Sequence, residues 1–368
     1  MTSGPPAGHG RTGAGHPTPT RHGSRGPSMV ALGGGHGLSA SLSALRLLTG
    51  RLTAVVTVAD DGGSSGRLRD ELGVLPPGDL RMALSAPCDD SDWGRTWRDV
   101  LQHRYSSDGP LDQHAVGNLL IVALWELLGD PVQGLDWVGR LLGASGRVLP
   151  MAAVPLRIAA DVVAPDGTRR VVQGQSAVAT SVGRIEHVRL EPSSPPACPE
   201  AVAAIRHADW VVLGPGSWYT SVLPHLLVPE LHDALVEHRG RTVVTLNLQP
   251  EEAGETADLP VQEHLAVLRE HAPDLRIDAV VADPAAVDDV AGLADTCAQV
   301  GARLLVRQVR RGDGTARHDP LRLAAAYRDI LEGSFGDVGV RTWPRVAEHE
   351  DLAGGPARTK EARPPELR

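Results

Sequence analysis

The sequence predicts an α/β fold: a Rossmann-like, doubly wound, mostly parallel sheet with a small β-rich insertion. Short apolar or β-branched segments alternate with segments of helical apolar period over most of the 368 residues. Glycine-rich loops follow several of these short segments. The block near 148–190 differs, because short strands there flank a Pro-Asp-Gly turn. Alternating strands and helices favour a parallel sheet with helices on both faces.

The first half of the chain predicts the elements in this order. Residues 29–32 and 52–58 form strands, and leucines spaced by three or four residues place a helix over 38–48. A 3.6-residue apolar period predicts a long helical region over 112–146. The predicted strands of the insertion are 151–163, 170–172 and 185–190.

Alternation resumes in the second half. The predicted helices are 201–207, 226–238, 261–271 and 320–331. The predicted strands are 210–213, 242–248, 279–282 and 303–309. Ligands of open parallel sheets bind beyond the carboxyl ends of the strands, where the strand order reverses. We therefore expect the loops that follow these strands to meet in one site.

Composition excludes several classes of protein. A formal net charge of -9 and a pI near 5.9 argue against nucleic-acid binding through a general positive field. The three cysteines are far apart, so neither a structural zinc site nor a disulfide framework is expected, and a reduced cytoplasmic protein fits best. No apolar run approaches about 20 residues, so no membrane span is expected.

Both ends of the chain predict tails. Residues 1–28 are rich in Gly, Pro, His, Arg and Ser and lack the apolar segment of a signal peptide. Residues 336–368 form a second loose tail, rich in Pro, Arg and Glu. The Rossmann-like domain is therefore expected to cover 29–335, with the insertion inside it.

The first glycine loop predicts a phosphate or nucleotide site. It follows the first strand and opens the first helix, where free backbone N–H groups and the helix dipole favour an anion. Leu38 stands where the third glycine of the dinucleotide fingerprint belongs, so a dinucleotide oxidoreductase is the least favoured hypothesis. A ligand contact by the histidine in this loop stays open. The candidate residues are Gly33, Gly34, Gly35, His36 and Gly37.

A second polar loop follows the second strand. Its two carboxylates could hold Mg²⁺ or the hydroxyls of a ribose, and its arginine could clamp a phosphate through two parallel bonds. The alternative is a solvated loop with a helix cap. No cofactor is firmly expected, and Mg²⁺ is the one to test. The candidates are Asp60, Asp61, Gly62, Gly63, Ser64, Ser65, Gly66 and Arg67.

Further candidates are spread along the chain. Asp79 occupies an expected N-cap position, whereas Arg81, two residues later, has no such structural explanation. Asn118 should lie near a core face, where its partner is either a ligand or a neighbouring loop. A third loop repeats the glycine-rich design and adds hydroxyls. The candidates in this second half are Gly214, Gly216, Ser217, Thr220, Asn247 at a strand end, and Arg317 in a loop before the last helix.

Five ordered motifs carry a family resemblance. The segments 31–38, 56–67, 75–81, 114–118 and 213–221 resemble the gluconeogenesis factor (YvcK-like) family, which is related to the 2-phospho-L-lactate transferases. The resemblance spans about 29–332. It implies a cytoplasmic protein that binds a nucleotide sugar, such as UDP-N-acetylglucosamine or UDP-glucose, and that influences carbon metabolism, cell-wall synthesis and cell shape. No catalysis is established by the family pattern. Cell-wall or signalling proteins as partners, and a homo-oligomer, stay open.

The resemblance also assigns roles and shows differences. Arg317 matches a family arginine associated with nucleotide-sugar binding. His36 stands where many members have Thr, and 247–256 is similar to the family's segment but altered within. The transferase relatives carry Asp-Asp-Trp-type loops where this chain has 61–66, which favours a regulator. The alternative is a Mg²⁺-dependent phosphotransferase or nucleotidyltransferase that uses Asp60 and Asp61.

Overall fold

The computed structural model describes residues 26–248 and 259–335. The predicted C-terminal tail and residues 1–25 of the predicted N-terminal tail lie outside the described residues. Ser28, which was assigned to that tail, is instead tied to the domain. Its amide donates to Oδ2 of Asp209 at 2.7 Å, and its hydroxyl donates to the same oxygen at 2.9 Å.

The described residues contain ten strands and twelve α-helices. The strands are β1 (Met29–Gly33), β2 (Leu52–Val56), β3 (Arg147–Pro150), β4 (Arg157–Val163), β5 (Arg169–Gln173), β6 (Arg184–Glu191), β7 (Trp210–Leu213), β8 (Arg241–Thr245), β9 (Ala279–Ala282) and β10 (Arg303–Val306). The helices are α1 (Gly35–Leu45), α2 (Gly63–Leu72), α3 (Pro77–Ser85), α4 (Asp92–Gln102), α5 (Val116–Leu128), α6 (Pro131–Leu141), α7 (Gln175–Ala179), α8 (Pro199–Arg206), α9 (Pro229–Val236), α10 (His264–His271), α11 (Val290–Gln299) and α12 (Pro320–Leu331).

Seven strands form one parallel sheet, in the order β10-β9-β8-β7-β1-β2-β3. The chain first builds from β1 outward to β3, and later returns to add β7 through β10 on the other side of β1. The order therefore reverses between β1 and β7, which is where such sheets bind their ligands. The predicted Rossmann-like class is confirmed.

The small β-rich insertion is confirmed as a separate antiparallel sheet in the order β5-β4-β6. Its predicted start near residue 148 is wrong, because β3 pairs with β2 at the edge of the large sheet. The insertion is therefore entered only after that edge strand. The stretch 151–156 is irregular, so the predicted strand over 151–163 shrinks to β4.

The predicted helical region over 112–146 is two helices. Gly129 adopts the left-handed conformation with φ 66° and ends α5, as glycine does most cheaply. The carboxylate of Asp130 then accepts the amides of Val132 and Gln133 at 2.8 and 3.2 Å and starts α6. The predicted helix over 226–238 likewise divides into a 3₁₀ turn, Leu223–Leu227, and α9.

The core is made mostly of Val, Leu and Ala, as the aromatic content of 3% requires. All five residues of β1 are buried, and α1 packs its leucines onto the sheet. The helix α12 closes over α1, and the Tyr327 hydroxyl makes hydrogen bonds of 2.9 Å with Ser41 and with Thr245. The C-terminal helix is thus fixed beside the loops that follow β1 and β8.

Among the described residues, no helix is long and apolar enough to cross a membrane. The three cysteines are free and buried. Burial raises the pKa of the Cys88 and Cys198 thiols to about 11 and that of Cys297 to about 12.

Candidate functional site

The loops after β1, β2 and β7 meet at Gly34. A Cβ atom at this position would lie 2.5 Å from Oδ2 of Asp79 and 3.2 Å from Oγ of Ser221, and it would also overlap the Thr57 hydroxyl. No side chain larger than hydrogen fits there unless the side chains of Thr57, Asp79 and Ser221 move. Steric contact therefore explains why the first loop has glycine at this position.

The main cleft is a cavity of about 500 Å³ at the carboxyl edge of the sheet, a volume typical of small-molecule sites. It lies between α1, the end of α7 and the loops that follow β7, β8 and β10. Six predicted site residues line it: His36, Gly37, Gly216, Ser217, Asn247 and Arg317. They come from four loops that are distant in sequence and converge where the strand order reverses.

Two side chains hold the loop after β7 in place. The Gly216 amide donates to Oδ1 of Asn247 at 3.0 Å, and the Ser41 hydroxyl donates to the Gly214 carbonyl at 2.9 Å. Gly214 itself has φ 74°, which glycine adopts without strain. Asn247 thus positions the glycine loop and lines the cleft as well.

The segment between β10 and α12 presents Arg317 to the cleft. The carboxylate of Asp283 accepts the amides of Val309 and Arg310 at 2.8 and 2.9 Å, and the Arg311 amide donates to the Arg317 carbonyl at 2.9 Å. The guanidinium of Arg317 is exposed and faces the cavity. Two carboxylate–amide bonds and one backbone pair therefore give this loop a defined path.

The cleft is cationic. Burial and the charge of Arg317 lower the pKa of His36, and burial lowers the pKa of His318 to about 4, so both rings are neutral at pH 7. Arg311 and Arg317 supply positive charge, and no carboxylate is among the described residues that line the cavity. The hydroxyl-bearing residues Ser39, Ser43 and Thr180 line it too, beside the side-chain amide of Asn247. Such a site suits an anion that also carries hydroxyl groups.

Asp79 does not cap its own helix, so the predicted N-cap role is wrong. Pro76 precedes the first turn of α3, and Asp79 sits inside that turn. Its Oδ2 instead accepts the Thr57 hydroxyl at 3.1 Å, and the carboxylate also accepts the Gly35 amide at the start of α1. Burial, followed by the charge of Asp60, raises the Asp79 pKa to about 6.

The polar loop after β2 lies apart from the main cleft. Oδ1 of Asp61 accepts the amide and hydroxyl of Ser176 at 3.0 and 2.8 Å, which ties the small sheet to the domain. Arg67 donates to the carbonyls of Pro110 and Asp112 at 3.1 and 2.6 Å. The shallow depression beside Arg67 is lined by the acids Asp61, Asp70, Glu71 and Asp112. A phosphate clamp at Arg67 is therefore not assembled.

A buried polar cluster joins the same loop to α5. The Ser64 hydroxyl lies 3.0 Å from Nδ1 of His114 and accepts a bond from Nδ2 of Asn118, also at 3.0 Å. Asn118 is buried as predicted, and its partner is the neighbouring loop. Its Oδ1 has no hydrogen-bond partner among the described residues.

Other residues of the loop after β2 make local contacts. Gly66 fits against the Asp61 carbonyl, Gly78 leaves room for the Ser65 hydroxyl, and Asp60 accepts the Gly62 amide at 2.9 Å. Thr220 is buried in a π-helical turn away from the cavity lining. The described residues contain no group of three or more His, Cys, Asp or Glu placed to hold a metal ion.

Comparison with known proteins agrees with this architecture. The model of the family described as 2-phospho-L-lactate transferase CofD matches residues 29–300. A Mycobacterium tuberculosis homologue of the gluconeogenesis factor is 49% identical over 342 residues, covering 91% of this chain and 98% of that one. The chain belongs to the gluconeogenesis factor (YvcK-like) family. The Bacillus subtilis gluconeogenesis factor is 37% identical over 263 residues, covering 72% of this chain and 80% of its own.

A crystal structure shares the fold of this family member. A UPF0052 family protein from Bacillus halodurans superposes with a TM-score of 0.74 at 31% identity, covering 83% of this chain and 99% of that one. The predicted resemblance is therefore confirmed for both sequence and fold.

Several residues that line the main cleft were not predicted from the sequence. Ser39 and Ser43 lie four residues apart on a half-buried side of α1, next to the buried leucines Leu38 and Leu42. This polar spacing is visible in the sequence. No pattern in the sequence marks Arg311 or Thr180 as lining residues. Their contribution to the cleft depends on how the small sheet and the loop before α12 fold back over α1.

Proposed function

We propose that this protein is a cytoplasmic nucleotide-sugar-binding regulator of carbon metabolism, cell-wall synthesis and cell shape, and that UDP-N-acetylglucosamine or UDP-glucose occupies the main cleft. The observation that carries the proposal is the convergence of Gly37, Gly216, Asn247 and Arg317 on one cationic cavity. Membership of the gluconeogenesis factor family supports the regulatory role.

The chemistry of the lining fits such a ligand. A nucleoside diphosphate sugar carries a diphosphate, for which Arg311 and Arg317 provide guanidinium donors. The sugars and the base carry hydroxyl and carbonyl groups, for which Ser39, Ser43 and Ser217 provide partners. A cavity volume of about 500 Å³ beside these groups leaves room for a ligand of this size class.

Calorimetric titration with UDP-N-acetylglucosamine tests the proposal. We expect saturable binding by the wild type and affinity weaker by about tenfold or more in Arg317→Ala, because a charged hydrogen bond contributes roughly 1.5–3 kcal/mol. Arg328→Ala is the matched control, since this exposed arginine of α12 lines no part of the cleft. Absence of binding by the wild type at millimolar ligand would refute the proposal.

A Mg²⁺-dependent phosphotransferase is the second candidate. It is favoured by the proximity of Asp60 and Asp79, which contributes to the raised Asp79 pKa. Asp61 is less suited to a metal than the sequence suggested, because Ser176 already occupies its Oδ1. The test is to add Mg²⁺ to the protein in a mixture of nucleotide sugars and to look for a product. A product formed by the wild type but not by Asp60→Asn would favour this function over simple binding.

A further inference from the structure

A second cavity lies on the other side of α1. It has a volume of about 570 Å³ and is bounded by α1, α3, α4 and the residues just after α4. Four of its lining residues are arginines: Arg46, Arg81, Arg98 and Arg104. The described lining contains no carboxylate, although the chain as a whole has a net charge of -9. This concentration of positive charge therefore contrasts with the net negative charge of the chain.

Arg81 lies deepest of the four. It is 4% exposed, and its Nε has no hydrogen-bond partner among the described residues. Its Nη1 donates to the side chain of Gln102 and, at 3.4 Å, to the Leu101 carbonyl. Nε of Arg46 is likewise buried without a partner. Buried, unsatisfied guanidinium N–H groups cost free energy unless a ligand satisfies them.

The neighbouring acids offset the charge of this cluster only in part, since the charges of Asp79 and Asp60 raise the Arg81 pKa but are outweighed by burial and by Arg104. Arg46 pairs with Asp90 at 3.0 Å and Arg98 with Asp99 at 4.0 Å, but these carboxylates are 68% and 81% exposed and point into solvent. Exposed pairs of this kind contribute little. Burial, followed by the charge of Arg104, lowers the Arg81 pKa to about 10. An anion placed among the arginines would relieve both the desolvation and the repulsion.

We propose that this arginine cavity binds a small phosphate-bearing molecule at a site distinct from the nucleotide-sugar cleft. Planar guanidinium groups match phosphate oxygens through paired hydrogen bonds, and four of them line this cavity. The inference does not depend on which ligand occupies the main cleft.

The two sites share one wall. His36, Ser39 and Ser43 line both cavities, and they lie on one face of α1 at helical spacing. Arg311 and Arg317 lie on one side of this ridge, whereas the four arginines of the second cavity lie on the other. The protein therefore has two cationic cavities separated by a single helix, and each can take its own anion.

Calorimetric titrations with inorganic phosphate and pyrophosphate on the full chain test the proposal. We expect wild-type binding, weaker by about tenfold or more in Arg98→Gln and in Arg104→Gln, because each loses a charged bond to phosphate. Arg98→Lys should lose less, since it keeps the charge but not the paired donors. Arg95→Gln is the matched control, because Arg95 lies on α4 outside the cavity lining.

Separate titrations with UDP-N-acetylglucosamine distinguish the two sites. Arg98→Gln should bind the nucleotide sugar as the wild type does, whereas Arg317→Ala should retain the pyrophosphate binding that depends on Arg98. Thermal unfolding checks that each variant is folded. The proposal is overturned by no saturable phosphate or pyrophosphate binding up to about 10 mM. It is also overturned if Arg98→Gln and Arg104→Gln bind both probes like the wild type while Arg317→Ala does not.

Discussion

Gly37 brings the first turn of α1 into direct contact with the loop after β7. A Cβ atom there would lie 2.6 Å from the carbonyl carbon of Pro215 and 2.7 Å from Cα of Gly216, both of which are backbone atoms. Unlike a flexible side-chain end, a backbone segment cannot move aside cheaply. The residue therefore fixes the spacing of two loops that form the cleft.

Gly37→Ala should destabilise the protein by about 1–3 kcal/mol, the usual cost of overpacking, and should weaken nucleotide-sugar binding. Gly50→Ala is the control, because a Cβ at that exposed glycine meets no atom within 4 Å and its φ is ordinary. Urea unfolding and calorimetry measure the two effects. Equal stability and affinity in both variants would contradict the assigned contact.

Asp79 should make stability depend on pH. Its pKa is raised from 3.8 to about 6 in the folded protein, so the native state keeps a proton that the unfolded chain releases. The resulting stabilisation is complete below about pH 4 and is lost as pH rises through about 6. Because Asp79 keeps some accessible surface, we expect a loss of no more than about 2 kcal/mol.

The difference in free energy of unfolding between the wild type and Asp79→Asn, measured in urea across this pH window, checks the prediction. The difference is needed because the buried histidines His225, His264 and His318, with pKa values lowered to about 4, raise the stability of both proteins over the same window. The wild type should lose stability relative to Asp79→Asn as pH rises through about 6. Asp60→Asn should move the loss to lower pH, because the Asp60 charge is one cause of the raised Asp79 pKa. A pH profile of Asp79→Asn that matches the wild type would show that another group is responsible.

At the scale of elements, α7 links the small antiparallel sheet to the main cleft. Asp61 holds the start of α7 through Ser176, while Ala179 and Thr180 at its other end line the cleft. Gly174, with φ 98°, allows the chain to approach the Asp61 carboxylate at this point. A residue assigned from the sequence to a metal or ribose instead docks one element against another.

Asp61→Ala should therefore lower stability by about 1–3 kcal/mol, since it removes two hydrogen bonds to a carboxylate, and should also weaken ligand binding through α7. Asp166→Ala is the matched control in the same sheet. In the exposed β4–β5 turn, the Asp166 carboxylate accepts hydrogen bonds from the amide and hydroxyl of Thr168, and Asp166 is not among the described residues that line the cleft. Nucleotide-sugar affinity that is unchanged in Asp61→Ala would exclude this coupling.

The α1 helix shows how far an element can be predicted. Its leucine spacing and its glycine-rich start are local properties, and both gave the element correctly to within three residues at each end. The face of α1 that carries His36, Ser39 and Ser43 lines two cavities, and this role depends on the tertiary structure. Arginines of α3 and α4 complete the second cavity, and no spacing in the chain relates them to α1.

For the whole molecule, local sequence was enough for the fold class, the order of most elements and the loops that carry polar groups. Apolar period and glycine density act between neighbours in the chain, so they can be judged without coordinates. The strand order β10-β9-β8-β7-β1-β2-β3 could not be predicted in this way, because it depends on pairing between segments up to about 180 residues apart.

That order decided which side chains share a site. Placing β7 beside β1 brought Gly216 to His36, whereas Arg67 on α2 donates to the carbonyls of Pro110 and Asp112 and does not line the cleft. It also left the arginines of α3 and α4 facing α1 across a cavity that no motif marks. Chain neighbours determine secondary structure, but a binding site is set by which elements the sheet brings side by side.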